Sequence, residues 1–335
     1  METIKKTLKN ESYTERQDPF ITREFDPYLN EKWIGNAISY GCYRKGQAPG
    51  VKGPSEEEIL QDLKIILNYW NLIRVYSSDD DSRRIFKVIR KNKLPIKVML
   101  GVWLENETNS PNRRPENIKQ VMNAIRLGNE YADIISAISV GNETQVYWSA
   151  HRLETDHLIN YMRTVRNNTN VPVTTADDYN FWNKPESKSV ASEVDFIVVH
   201  IYPLWNGKEL ANSIEWMNNI FFNEIKKFHS DKTIVLGEIG WATDYDSTKT
   251  GDGEQGSLIK GEIGYPAQEE FLMKISEWID QNKVTTFLFE AFDEPWKGGG
   301  ELSGPDEIEK HWGVYYEDRT PKKSFINFLQ VGKEK

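Results

Sequence analysis

One cysteine in 335 residues excludes an intramolecular disulfide, and Cys42 alone leaves the redox compartment open. Long apolar runs are missing too. None approaches the roughly 20 residues that cross a bilayer, so no membrane span is expected. The opening stretch "METIKKTLKNESYTERQDPF" is polar and lacks the apolar segment of a signal peptide, so either the protein stays inside the cell or its signal has been removed. Basic residues are outnumbered, 42 against 51 acidic, and the net charge of −9 argues against nucleic acid as a partner. The five histidines (His151, His157, His200, His229, His311) form neither an HxH nor an HExxH pattern, and no metal site is expected. Neither a Gly-x-Ser-x-Gly elbow nor a Cys–His pair supports acyl chemistry, and no cofactor is expected. With no repeat, low-complexity tract or linker, the chain reads as a polar N-terminal arm over 1–30 and one domain over 31–335.

Aromatic residues, by contrast, are plentiful, with 11 Trp and 15 Tyr. Several stand beside polar residues in loop-like stretches: "YNFWNK", "IYPLWNG" and "DEPWKGGG". Sugar rings have apolar faces that stack on aromatic planes, so this distribution suits a carbohydrate cleft.

Eight strand-like runs are spaced along the chain: "NAISYG" (36–41), "LIRVYS" (72–77), "IKVMLGVW" (96–103), "IISAISVG" (134–141), "VPVTTA" (171–176), "DFIVVHIY" (195–202), "TIVLGEIG" (233–240) and "TTFLFEAF" (285–292). Amphipathic stretches lie between them. "SEEEILQDLKIILNYW" opens with Ser55 and Glu58 as a capping box, and "PENIKQVMNAIRLGNEY" opens with Pro115 in a first turn. This rhythm predicts the α/β class and a single (β/α)8 TIM barrel with extended βα loops. The rival, a doubly wound open sheet, usually carries a Gly-rich phosphate loop after its first strand, and "YGCYRKGQAPG" has no GxGxxG.

A barrel places its chemistry just past the C-terminal ends of its strands. Polar residues gather there: Tyr40 and Arg44, Arg74 and Tyr76, Asn142 and Glu143, Asp177 and Asp178, His200 and Tyr202, Glu238, and finally Glu290 and Glu294. Glu238 sits inside the apolar run "IVLGEIGW", where a carboxylate is costly unless it is paired or used. Glu143 and Glu238 close the fourth and seventh strands, on opposite sides of the mouth. Two carboxylates flanking a substrate are what glycoside hydrolysis needs. His200 is open to two readings, a substrate contact or a hydrogen-bonded core histidine. Asn142-Glu143-Thr144 matches a glycosylation sequon, but a glycan there would block the cleft.

An Asn-Glu pair after the fourth strand with a Glu on the seventh resembles the clan of retaining (β/α)8 glycosidases. The motifs "VGNE", "GEIGW", "VHIYPLW" and "FEAFDEPWK…EKHWGVYY" resemble glycoside hydrolase family 17, the β-1,3-glucanase family, over roughly residues 33–330. The first strand's "SYGCYRKGQAPG" looks more like bacterial members. The resemblance implies Glu143 as acid/base and Glu238 as nucleophile, with carboxyl groups about 5–5.5 Å apart. It further implies that Asn142 bonds the sugar 2-hydroxyl, that Tyr202 orients the nucleophile and that Arg74 helps keep it ionised. Glu294, Lys297 and Glu309 are then sugar or electrostatic contacts, although Glu294 and Lys297 could instead form a surface salt bridge. Tyr40 and Tyr76 join the substrate-binding candidates, and Trp148, Trp182, Trp205 and Trp241 are expected to line the groove.

The implied partner is a β-glucan polysaccharide or oligosaccharide, acted on by a monomer. The expected location is secreted, periplasmic or at the cell surface, with a cytoplasmic one left open. The connections "WLENETNSPNRRPE" and "TDYDSTKTGDGEQGSLIKGE" are longer than in plant members and would shape the cleft ends. Endo-cleavage, exo-cleavage and glucosyl transfer therefore all remain open, as does a non-catalytic glucan-binding barrel.

Overall fold

A computed structural model describes residues 1–10 and 13–333 of the chain. The eight runs become parallel strands of a closed barrel: β1 (Asn36–Ser39), β2 (Leu72–Val75), β3 (Lys97–Val102), β4 (Ile135–Asn142), β5 (Val173–Asp178), β6 (Ile197–His200), β7 (Ile234–Ile239) and β8 (Thr286–Leu288). Each pairs with its sequence neighbour, and β8 closes the ring on β1 through Thr286 opposite Asn36. The fold is a (β/α)8 barrel, as the spacing predicts. β8 is shorter than its run suggests. After Leu288 the backbone leaves the ladder, and Glu290 N–H donates to Trp312 while Ala291 N–H donates to Ser39.

Alternation along the strands divides the apolar residues into two sets. Ile73, Val75, Val98, Leu100, Ile138, Val140, Ile197 and Val199 point outward into the layer between strands and helices. Leu72, Met99, Ala137, Ala176, Val198, Val235 and Phe287 point inward and fill the lower half of the barrel with Phe25 and Phe196. Local signals set the helices. Ser55 and Glu58 form the reciprocal capping box at the start of Glu56–Ile66, and Pro115 lies in the first turn of Arg114–Glu130. Helix Lys323–Lys333 packs against Tyr265–Asn282 and closes the outer ring.

The N-terminal arm is bound to the barrel. Helix Glu2–Lys9 lies on Arg114–Glu130, and the Arg114 guanidinium donates to the Leu8 carbonyl. Farther on, Thr14 N–H donates to Asn160, Arg16 pairs with Glu193, and Arg23 N–H donates to Asp195. Phe25 then turns under the barrel and stacks on Phe196, ring centroids 4.6 Å apart, closing its floor.

Candidate active site

The inward alternation that carries Leu72 and Val198 in the floor carries Arg74, His200 and Tyr202 into the mouth. Glu238 lies among them on β7, with 7% of its side chain exposed. Arg74 Nη1 donates to its Oε1 at 2.9 Å, the Tyr76 hydroxyl donates to the same oxygen at 3.0 Å, and the Tyr202 hydroxyl donates to Oε2 at 2.7 Å. Burial alone would push this carboxyl up. His200 and Arg74 beside it, with the two hydroxyls, outweigh that and hold Glu238 below the usual carboxylate range. Gly237 makes the approach possible. A Cβ there would lie 2.2 Å from Val198 Cγ1 and 3.4 Å from Arg74 Nη1, which also donates to the Gly237 carbonyl at 2.9 Å.

Glu143 is held differently. The β4–β5 register shifts between Ser139 and Asn142, and Glu143 follows with φ 50°, a left-handed conformation unusual for a side chain of this size. Its own N–H donates to Ala176, and buried Asp177 pins the loop beyond it by accepting from the N–H groups of Gln145 and Val146. The Glu143 side chain remains 31% exposed. Its Oε1 lies 2.9 Å from His200 Nδ1, while His200 Nε2 lies 3.4 Å from Glu238 Oε1, so one buried imidazole bridges the two carboxylates. Arg74 Nη2 donates to the Asn142 amide oxygen at 2.6 Å, which orients the amide next to the acid.

A second charged group lies near Glu238, on the other side of Tyr76. Lys297 Nζ donates to Glu290 at 2.8 and 2.9 Å and pairs with Glu294 at 2.7 Å, both carboxylates nearly fully buried. The Glu294–Lys297 pair is therefore an interior contact and not a surface salt bridge. Burial raises the Glu290 carboxyl, Lys297 and further donors hold Glu294 low, and the two carboxylates raise the Lys297 ammonium against burial. Gly41 leaves room for this group, since a Cβ there would fall 2.0 Å from Glu294 Oε1. Glu309, half-buried nearby, is pushed up to about 7 by burial, which Lys297 opposes and Glu238 and Glu143 reinforce.

The aromatic candidates separate. Trp148 is 50% exposed at the tip of the loop after Glu143, edge-on to Tyr147, and Trp205 is partly exposed beside Trp312. Trp182 and Trp241 do not line a groove. At 0% and 1% exposure they donate their indole N–H groups to the Val198 and Glu262 carbonyls and pack behind the strands. Tyr40 is misplaced as well. Inward Ser39 precedes it, so it faces outward, and its hydroxyl donates to Asp62 on helix Glu56–Ile66.

A family model for the BtgE/BtgC glycoside hydrolase domain matches residues 37–313. The chain belongs to that family. Among relatives of this BtgE/BtgC domain, btgC of Aspergillus niger is 28% identical over 283 residues, 80% of this chain and 40% of that one. A glucan 1,3-beta-glucosidase of Schizosaccharomyces pombe is 26% identical over 283 residues, 79% of each. The chain spans about two fifths of the length of the Aspergillus btgC relatives it matches. An endo-laminarinase from Formosa Hel1_33_131 superposes with a TM-score of 0.75 at 23% identity, covering 91% of this chain and 90% of that one. A glycoside hydrolase family 17 beta-1,3-glucanosyltransferase from Rhizomucor miehei gives 0.67 at 20%, covering 86% and 96%. At these identities the structural likeness carries the fold, and the link to family 17 is a distant one. Both named sequence relatives are fungal rather than bacterial.

Trp103 and the contact that His151 makes beside it fall outside the sequence reading. Trp103 follows inward Gly101 by two, is partly exposed, and donates its indole N–H to Glu105 at 2.9 Å. His151 approaches the same carboxylate at 3.1 Å and meets the Trp103 ring edge-on, tying the third and fourth βα loops together. Asp178, opposite His200 in the β5–β6 register, is raised to about 7 by burial, eased by the Asn180 N–H and reinforced by Glu143. Spacing of two from inward Gly101 would have placed Trp103 in the mouth, whereas Asp178 and His200 were already among the strand-end candidates.

Proposed function

We propose that this domain hydrolyses β-1,3-glucosidic bonds in laminarin-like β-glucans, with endo action, by double displacement. The observation that carries the reading is the contrast between two bridged carboxylates. Glu238 is buried and held ionised by Arg74, Tyr76 and Tyr202; Glu143 is partly exposed at a loop and has one N–H donor. The first suits a nucleophile and the second a group that must gain and lose a proton. A Glu238 oxygen forms a bond to the anomeric carbon while the glycosidic bond breaks, and Glu143 gives its proton to the departing oxygen. Water then attacks the glycosyl-enzyme, giving its proton to Glu143 and releasing Glu238. Asn142, turned by Arg74, is placed to bond the 2-hydroxyl, and Trp148, Trp205 and Trp103 offer faces for further sugar rings. The names of the relatives, a glucan 1,3-beta-glucosidase and an endo-laminarinase, support the substrate class.

Transfer to a sugar hydroxyl is the second reading, favoured by the likeness to the Rhizomucor glucanosyltransferase. It needs only an acceptor that outcompetes water at the same intermediate. Incubation with laminarin and a defined β-1,3-oligosaccharide separates the readings: internal cuts with rising reducing ends mark an endo-hydrolase, and longer products at constant reducing ends mark a transferase. We place the protein outside the cytoplasm, where glucan polymers are met; fractionation of the source cells tests this.

A further inference from the structure

The donors and acceptors around His200 determine its hydrogen placement. Arg74 can only donate, and its Nη1 lies 3.0 Å from His200 Nε2. An ionised Glu143 can only accept, so the hydrogen between its Oε1 and His200 Nδ1, 2.9 Å away, is then carried by Nδ1. Nη1 shares its two hydrogens among Nε2, the Gly237 carbonyl and Glu238 Oε1, so the guanidinium that pairs with Glu238 also contacts the ring that contacts Glu143. Because the imidazole is fully buried and strand-borne, its N–H has one direction in which to point. The charged or titratable groups that face it are Arg74 from β2, Glu143 from β4, Asp178 from β5 and Glu238 from β7.

We propose that His200 is a positioning residue that occupies Glu143 Oε1 with its Nδ1–H, so that the proton transferred in catalysis resides on Oε2. The proposal rests on the acid/base role for Glu143 given above. An oxygen already accepting a buried N–H is a poor place for an acidic hydrogen, so the O–H forms on its partner. The same hydrogen bond persists when Glu143 is ionised and strengthens then, because the acceptor carries charge. It therefore favours release of the proton to the departing sugar oxygen.

A substitution series reads this out. Asparagine places an amide N–H near the position of Nδ1, leucine offers no donor, and glutamine puts its amide near Nε2. Removing a donor to the ionised form raises the pH at which Glu143 loses its proton. His200→Leu should therefore move the alkaline limb of kcat/KM on β-1,3-oligosaccharides upward by about one pH unit. His200→Asn should leave that limb at the wild-type position while kcat falls, since the contact to Arg74 is lost. On an aryl β-glucoside whose leaving group needs no proton, His200→Leu should lose much less kcat/KM than on oligosaccharides. An unmoved limb in His200→Leu overturns the proposal, as does a His200→Asn limb displaced equally far. If the leucine variant does not fold, His200→Gln takes its place, with the same shift relative to His200→Asn expected. Failure of the underlying reading looks different: Glu143→Gln would then keep the wild-type alkaline limb, or lose as much on the aryl substrate as on oligosaccharides.

Discussion

Inward positions of the barrel change character halfway along the same strands. In the floor they are Leu72, Met99, Ala137, Val198 and Val235, sealed from below by Phe25. Two residues farther along come Arg74 after Leu72, His200 after Val198 and Gly237 after Val235, with Glu238 beside them. The strands run on from one half to the other, but the mouth carries register shifts, and the one between β6 and β7 brings Glu238 inward directly after Gly237. The floor gains from burying apolar area and needs no partners. The mouth buries charge, which is tolerable only because nearly every group there has a complementary neighbour. Stability should therefore depend on the floor, and activity on the completeness of the network in the mouth.

The sharpest way to break that contrast is Glu238→Ala. Activity should fall by about 10^4-fold or more, while the chain still folds with Arg74 keeping the Gly237 carbonyl and the Asn142 amide oxygen as acceptors. Azide in the vacated space should restore turnover of an activated β-glucoside by inversion, giving an α-glucosyl azide. In Glu143→Ala it should instead give a β-glucosyl azide from an activated β-glucoside. A β-azide from Glu238→Ala on a β-glucoside would exchange the two roles.

Arg74→Met should come next, with a loss of about a hundredfold to a thousandfold in kcat/KM, because a buried carboxylate loses its partner. The sign of the pH effect follows from the environment. Glu238 is held below the usual range partly by Arg74, so removing Arg74 raises the pH at which Glu238 ionises. The acid limb of kcat/KM should move to higher pH; an unmoved limb would detach Arg74 from the charge of Glu238.

The floor gives the opposite profile. Phe25→Ala opens a hole against Phe196 and should cost about 3 kcal/mol in unfolding free energy, with kcat nearly unchanged in the folded fraction. Trp182→Ala should also destabilise without changing substrate affinity, whereas Trp148→Ala should weaken polymer cleavage about tenfold and leave the melting temperature unchanged. Denaturant titration beside laminarin kinetics distinguishes the two tryptophans.

The smallest expected effect is a pH slope. Glu309 is raised from 4.5 to about 7 in the folded chain. Between those values the folded state binds more protons than the unfolded one, so this group makes stability fall as pH rises. Glu309→Gln should melt increasingly above wild type from pH 5 to pH 8; a constant difference across that range would remove Glu309 from the network.

The strand runs and their order were legible because alternation, length and helix caps are local signals. The two carboxylates were legible because a Glu inside "IVLGEIGW" conflicts with its surroundings. Tyr40, Trp182 and Trp241 were read as mouth residues from their proximity to strand ends, but one residue of phase decides between the mouth and the helix layer. The strand pattern of Ser39 and Tyr40 could have shown this, whereas the pairing of Trp241 with the Glu262 carbonyl depends on a distant loop.

By itself, then, the sequence determined the number and order of the strands, the apolar faces that close the barrel, and the residues able to act as paired carboxylates. Only the tertiary structure decided that Arg74, Tyr76 and Tyr202 meet on Glu238 while His200 spans from it to Glu143. These partners lie up to 164 positions apart along the chain. Their hydrogen bonds follow from barrel closure and register, which bring the ends of distant strands within a few ångströms in a way no local pattern encodes.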